Sequence, residues 1–386
     1  MDQYREVTSQ SWISRIGSSL KGMVWGLVLL LISLGVLFWN EGRAVKQVQV
    51  LGEGASLVRA VGHDQVMPEN QGQLVHLAGP SHAEKALLDE QFGVKAPSAL
   101  KLRRTVKMYQ WAEVKQTKAE KKLGGSEETT TNYQYQQGWY ASLIASDHFK
   151  LPEGHTNPTS FRYTSREFAA DPIKVGAFHL SASLTAKLNR YEKLLPEPSP
   201  RADSTLSREG SHLYIGQGSL ERPQIGDYLV EFEVVNPAHV SIVAKQEGNQ
   251  LMPYLTTGGG SIALLQPGNI PAQALFAGAQ DDNTALTWVL RLAGLVFVFL
   301  GLNSLLKPLA VLGDVVPLIG NLLRAGIGLV SGVLALACSL TVIALGWLFY
   351  RPLLGVSLML IVVACLLLLK RLQNRRQQAP ALTVSN

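Results

Sequence analysis

Eight histidines are the first residues to weigh, because imidazole is the commonest metal ligand and general base in proteins. They are His63, His76, His82, His148, His155, His179, His212 and His239. No two lie three or four apart, the spacing that sets two imidazoles on one helix face. None lies two from another, as ligands on one strand face would. A nucleophilic serine usually sits on a strained Gly-x-Ser-x-Gly turn. Gly216-Gln217-Gly218-Ser219 does not fit that pattern, and Gly258-Gly259-Gly260-Ser261 reads as a flexible connection between strands. Neither glycine-rich phosphate fingerprint is present. The two cysteines, Cys338 and Cys365, both fall in apolar runs, which excludes a disulfide or a thiolate-zinc site elsewhere. These residues predict no metal, no cofactor and no enzyme.

The elements that would position any chemistry are dominated by four runs nearly free of charge. Gly22–Trp39 is eighteen residues without an ionisable side chain, and Ala285–Leu306 is twenty-two with only Arg291 near its start. Ala325–Phe349 has no charge over twenty-five residues, and Leu353–Leu369 none over seventeen. A helix needs about 17–25 apolar residues to cross a bilayer, so all four are read as transmembrane helices, grouped one and three. The first is too long for a cleaved signal peptide, although Gly42-Arg43-Ala44 has the look of a cleavage site, so an uncleaved anchor is expected.

The net charge of +6 is divided unevenly: residues 44–284 carry 23 basic against 25 acidic side chains, and the remainder 12 against 4. Basicity therefore lies at the membrane flanks, and nucleic acid drops out as a partner. Arg5, Arg15 and Lys21 precede the first run, Lys307 and Arg324 lie between the second and third, and Lys370, Arg371, Arg375 and Arg376 follow the fourth. The positive-inside rule then predicts cytoplasmic segments at 1–21, 307–324 and 370–386. Residues 40–284 become one domain in the periplasm or the lumen. Lys307–Arg324, broken by Pro308, Gly313, Asp314, Pro317 and Gly320, reads as an interfacial or re-entrant segment.

Within 40–284 the pattern is mostly that of strands. Leu102–Val114 alternates with period two, Gly124-Gly125-Ser126 makes a turn, and Thr129–Tyr140 returns, giving a long hairpin. Further strands are predicted at Leu74–Leu77, Phe161–Phe168, Val175–Leu180, Tyr228–Val235, His239–Ala244, Leu251–Leu255 and Ile262–Leu265. Helices are predicted at Ala83–Glu90, Leu180–Leu194 and Pro271–Gly278, and a loop at Glu197–Pro200. The fold class is a four-helix membrane protein with a large β-rich α+β extracytoplasmic domain.

Gly22 and Gly26, and Gly328 and Gly332 continued by Ala335 and Ser339, are spaced for close helix packing. A proton- or cation-coupled pump would carry carboxylates inside its spans; none is there, and Arg291 can snorkel to the interface.

Several blocks, in order through most of the chain, resemble the LUMA family of four-span membrane proteins. They are Asn40-Glu41-Gly42-Arg43-Ala44, Pro68-Glu69-Asn70, Leu74-Val75-His76, Lys101-Leu102-Arg103-Arg104 and Met108-Tyr109-Gln110-Trp111. His155, Asn157-Pro158, Gly226-Asp227, Pro237-Ala238-His239-Val240 and Gly346-Trp347-Leu348-Phe349-Tyr350-Arg351-Pro352-Leu353 continue the series. The resemblance implies a scaffold that self-associates and organises other membrane proteins, with no enzymatic activity. It implies the endoplasmic reticulum or inner nuclear membrane in an animal, or the bacterial inner membrane for a prokaryotic relative. The short N-terminal region fits the latter. Glu41 and Arg43, at the exit of the first span, read either as a simple polar stop to the helix or as a charge pair that anchors it against the domain or the hairpin carrying Arg351. Trp347 and Tyr350 are expected to anchor at headgroup depth. Partners are thus the lipid bilayer, further copies and other membrane proteins. A passive ion channel or channel accessory subunit is the alternative, and an enzyme built on scattered histidines a third.

Overall fold

The structure, a computed structural model, describes residues 3–196 and 206–352, with Ser357 and Leu360 beyond them. The fourth predicted span, 353–369, the basic tail and the loop at 197–200 lie outside the described residues. The chain divides into two compact units. One comprises residues 1–9, 49–120 and 127–280, and the other residues 10–48, 121–126 and 281–386.

The first unit is the β-rich part. Its main strands are β1 (Gln3–Gln10), β2 (Leu74–Ala83), β3 (Lys101–Lys121), β4 (Glu127–Tyr140), β5 (Ile173–Val175), β6 (Phe178–Leu180), β7 (His212–Ile215), β8 (Tyr228–Val235), β9 (His239–Glu247) and β10 (Gln250–Met252). One sheet runs β1-β4-β3-β8-β7 and ends on Leu206–Glu209. In the other, β9 pairs with β10, β10 with β6, β6 with β5, β5 with β2, and β2 again with β9. That circuit of five strands closes on itself and removes its edges. Its side chains Val75, Leu77, Ile173, Val175, Phe178, Ile242, Ala244 and Leu251 are buried and join one core with Leu102, Val106, Met108 and Phe232 of the first sheet. Each such large side chain contributes about 1.5–3 kcal/mol by leaving water.

Period-two alternation accounts for these strands. In β3, Leu102, Arg104, Val106, Met108 and Gln110 are buried while the positions between are half-exposed. The predicted hairpin is found, longer than the alternation showed, and Gly124 and Gly125 turn it with φ of +88° and +80°. Val175–Leu180 is two strands around Gly176, whose φ is +58°. Phe161–Phe168 forms a strand only at Arg166–Ala169. Two predicted helices are corrected. Ala83–Glu90 holds a short strand, Leu87–Asp89, because buried Asp89 is drawn to Arg104 at 2.7 Å. Leu180–Leu194 is a single helical turn, Ala182–Thr185, followed by the strand Glu192–Leu194, which pairs with β8.

The second unit is helical. Its elements belong to α1 (Trp12–Leu57), α2 (Ala272–Gly313) and α3 (Pro317–Tyr350). Each is long and apolar enough to cross a membrane. Exposed residues such as Val24, Trp25, Leu292, Leu329 and Val333 leave the apolar surface that lipid requires. Most of residues 307–324 is helical. α2 continues through Pro308 to Gly313, since a proline costs a helix one N–H and a bend rather than always its end, and α3 starts at Pro317.

Strand β1 belongs to the same sheet as β4, held further by Tyr133 Oη to Glu6 at 2.7 Å. The hairpin turn 121–126 belongs to the helical unit, where Arg15 donates to the Gly125 carbonyl at 2.5 Å.

Candidate functional site

The Asn40-Glu41-Gly42-Arg43 block lies inside α1, and its side chains fan onto two helices. Asn283, Thr287 and Arg291 recur every four residues and so form one stripe along α2. Arg43 Nη1 donates to Asn283 Oδ1 and Nη2 to Thr287 Oγ1, both at 2.9 Å. Asn40, fully buried, accepts from Arg43 at 3.3 Å and donates to the Thr287 carbonyl at 3.1 Å. Asn283 donates in turn to the Ala44 carbonyl at 3.1 Å.

Glu41, only 2% exposed, meets the next member of the stripe. Arg291 reaches it with Nε and Nη2, each at 2.7 Å, and Trp347 Nε1 donates to the same carboxylate at 2.8 Å. The guanidinium also lies over the Trp288 ring, 4.8 Å from its centroid. A two-pronged guanidinium with an indole donor satisfies a carboxylate well. Such buried pairs resist single substitution because either partner alone is left charged without a counter-ion.

Two glycines make this approach possible. A methyl group at Gly42 would lie 2.6 Å from the Tyr350 ring, and one at Gly346 would lie 2.9 Å from Glu41 Cβ. Phe38 completes the packing against Tyr350, with ring centroids 5.3 Å apart.

Of the residues singled out in the sequence, Glu41, Arg43, Trp347 and Tyr350 are thus brought together. Arg351 is not their partner: it caps α3, its backbone N–H donating to the Trp347 carbonyl at 2.8 Å. The charge that meets Glu41 is Arg291, which the sequence reading sent to the interface. A cation inside an apolar run is legible, but its carboxylate lies 250 positions away in the chain. Gly328 and Gly332 are placed apart from this cluster, with nothing within 4 Å of a methyl group at either. The close glycine contact is instead Gly26 on Gly301, where a methyl at Gly26 would sit 2.9 Å from the Gly301 carbonyl oxygen. The buried small residues of α3 are Gly320, Ser331, Ala335, Ser339 and Gly346.

The family-like blocks of the β-rich unit also hold backbone together. Asn157 accepts from the Trp111 N–H at 2.8 Å and donates to its carbonyl at 2.9 Å, standing in for a neighbouring strand. His155, 2% exposed, stacks on Tyr135 at 4.0 Å. Asp227 gathers the Tyr214 hydroxyl and the N–H groups of Gln217, Gly218 and Gln224. Burial, and then the carboxylate beside it, push the Tyr214 phenol up. No group of three or more metal-ligating side chains occurs among the described residues.

A family profile described as Transmembrane protein 43 matches residues 108–352. The chain is 35% identical to Transmembrane protein 43 of Rattus norvegicus over 367 residues, covering 91% of this chain and 90% of that one. It is 35% identical to the Homo sapiens protein over 355 residues, covering 89% and 88%. The Drosophila melanogaster homolog is 31% identical over 347 residues, covering 87% and 91%. No solved structure matches. These relatives are animal proteins, and nothing in the comparison supports the bacterial origin that the short N-terminus suggested. By the profile and by identity over about nine-tenths of its length, the chain belongs to the Transmembrane protein 43 family, the LUMA family that its motifs resemble.

Proposed function

We propose that this chain is a non-enzymatic membrane scaffold that associates with itself and organises other membrane proteins, in the endoplasmic reticulum or inner nuclear membrane of a eukaryotic cell. The observation that carries this reading is what the motif residues do. Asn40, Glu41, Arg43, Asn157 and Asp227 are engaged in hydrogen bonds to other helices and to strand and loop backbone. These motif side chains are spent on holding helices and backbone together, which supports a structural role for them. The alternative, a passive channel, finds no such support: Arg291, the ionisable residue of its run, is paired with Glu41 rather than lining a path.

The test is to extract the full chain in native-lipid discs, measure the mass of the particle and identify what co-purifies. A defined oligomer with a recurrent membrane-protein partner is the expected result. A monomer without stable companions would overturn the scaffold reading.

A further inference from the structure

The helical unit holds a second buried carboxylate, and it is surrounded differently. Asp314, in the connection between α2 and α3, is fully buried and receives three cations. Arg15 Nη2 lies 2.5 Å from Oδ2, Lys121 Nζ lies 3.4 Å from Oδ1, and Arg324 Nη2 also binds Oδ1. The hairpin turn is seated there by Gly124 N–H to the Val315 carbonyl at 3.1 Å, and Trp12 Nε1 donates to the Val311 carbonyl at 2.9 Å.

Arg15 has a further interaction besides Asp314, which leaves the single charge of Asp314 facing both Lys121 and Arg324. Glu120, Glu127, Glu128 and Lys122, beside or within the turn, take part in interactions of their own. The three cations are not equally committed. The Arg15 side chain is 8% exposed and the Lys121 side chain 15%, whereas that of Arg324 is 41% exposed and gives Asp314 a single Nη2. Around them the surface is apolar and open: Leu318 is 79% exposed, Leu322 73% and Leu309 54%. Exposed leucines beside a partly free guanidinium suit the boundary between acyl chains and headgroups. The anion present in quantity at that depth is lipid phosphate.

We propose that Arg324 and Lys121, held on Asp314, form a binding site for the phosphate of an anionic phospholipid. Asp314 fixes the two cations from below, the phosphate oxygens take the free guanidinium N–H groups, and the exposed leucines lie along the acyl chains. Arg15 is committed to the turn and serves to hold the site together.

The experiment uses the full chain in lipid discs of phosphatidylcholine alone or with phosphatidic acid or phosphatidylserine, read by lipid retained in native mass spectrometry. Wild type is expected to retain the anionic lipids over phosphatidylcholine. Arg324→Gln and Lys121→Gln are each expected to lower that retention about fivefold, the worth of one cation near a headgroup. Arg324→Lys should restore most of it, and Lys95→Gln in the β-rich unit should change nothing. Equal retention of neutral and anionic lipid by wild type, or unchanged retention in both glutamine variants, would overturn the proposal. Inorganic phosphate is the separate arm. If it displaces the lipid at equal concentration, the site takes free phosphate and the lipid assignment fails.

Discussion

The two buried carboxylates of the helical unit are built on opposite plans. Glu41 has one cation, gripped by two nitrogens, and an indole N–H, with the side chains of the α2 stripe saturated around it. Asp314 has three cations, one of them substantially open to its surroundings. About 26 residues of α1 separate Arg15 from Glu41, or about 39 Å of helix, so the carboxylates mark the two ends of an apolar middle. The difference teaches that burial of a charge does not define its role. A matched pair closes a structure; an over-matched one keeps attraction in reserve.

The sharpest way to break the comparison is Glu41→Gln. It leaves Arg291 in an apolar run with no counter-ion, which should destabilise the helical unit by about 3–5 kcal/mol. A lowered melting temperature in detergent is the expected reading. Replacing Arg291 by methionine in the same chain should recover part of the loss, and an unchanged single variant would remove Glu41 from the lock.

Asp314→Asn should cost less, about 1–3 kcal/mol, because Lys121 and Arg324 can turn outward when released. The loss should be local, with faster amide exchange in residues 121–126 and no change near Glu41. The same end of the unit offers a test of sidedness. Cysteines placed at exposed Leu123 and at Gln10 should react with an impermeant maleimide from the same side of sealed vesicles. Labelling from opposite sides would place the hairpin turn across the bilayer from residues 1–21 and dissolve the Arg15–Gly125 contact.

Between the two ends, packing of glycines decides. Gly26→Ala forces a methyl to within 2.7 Å of Ser304 Cβ and should cost about 1 kcal/mol or more. Gly332→Ala meets nothing and should be neutral or slightly stabilising through helix propensity. If the order were reversed in thermal melts, the contact face would be the Gly328–Gly332 row that spacing suggests.

That pair shows what the sequence could and could not convey. Small residues four apart announce a close approach, but both rows look alike until the partner helix is known, and Gly301 carries no spacing signal with Gly26. The helices and the long hairpin were legible because an apolar run and a two-residue alternation are local properties. Ala83–Glu90 and Leu180–Leu194 were misread for the converse reason. Their helix-like composition yields to distant partners, Arg104 in one case and β8 in the other. The Glu41 block was recognisable by its types, yet its counter-ion was not, since nothing local links positions 41 and 291. The cation cluster on Asp314 was visible only as scattered positive charge at the flanks.

The smallest effect concerns β1, which lies beside β4. Glu6 accepts from Tyr133 Oη at 2.7 Å and from Lys150 Nζ at 3.0 Å. The hydrogen bond from Tyr133, and then that from Lys150, hold its carboxyl below the ordinary range. A group whose pKa is depressed on folding lends its full support above its unfolded value and loses it as pH falls through the folded one. Docking of β1 should therefore be indifferent to pH from neutrality down to about 4.5, the free glutamate range, and weaken below it. A dye on Gln3→Cys should show steady anisotropy above that range and falling anisotropy below it, while Glu6→Gln should remove the acid step. A strand that loosened equally in both chains would owe its place to backbone pairing alone, and the ion pair would then be a surface contact of the kind that contributes little.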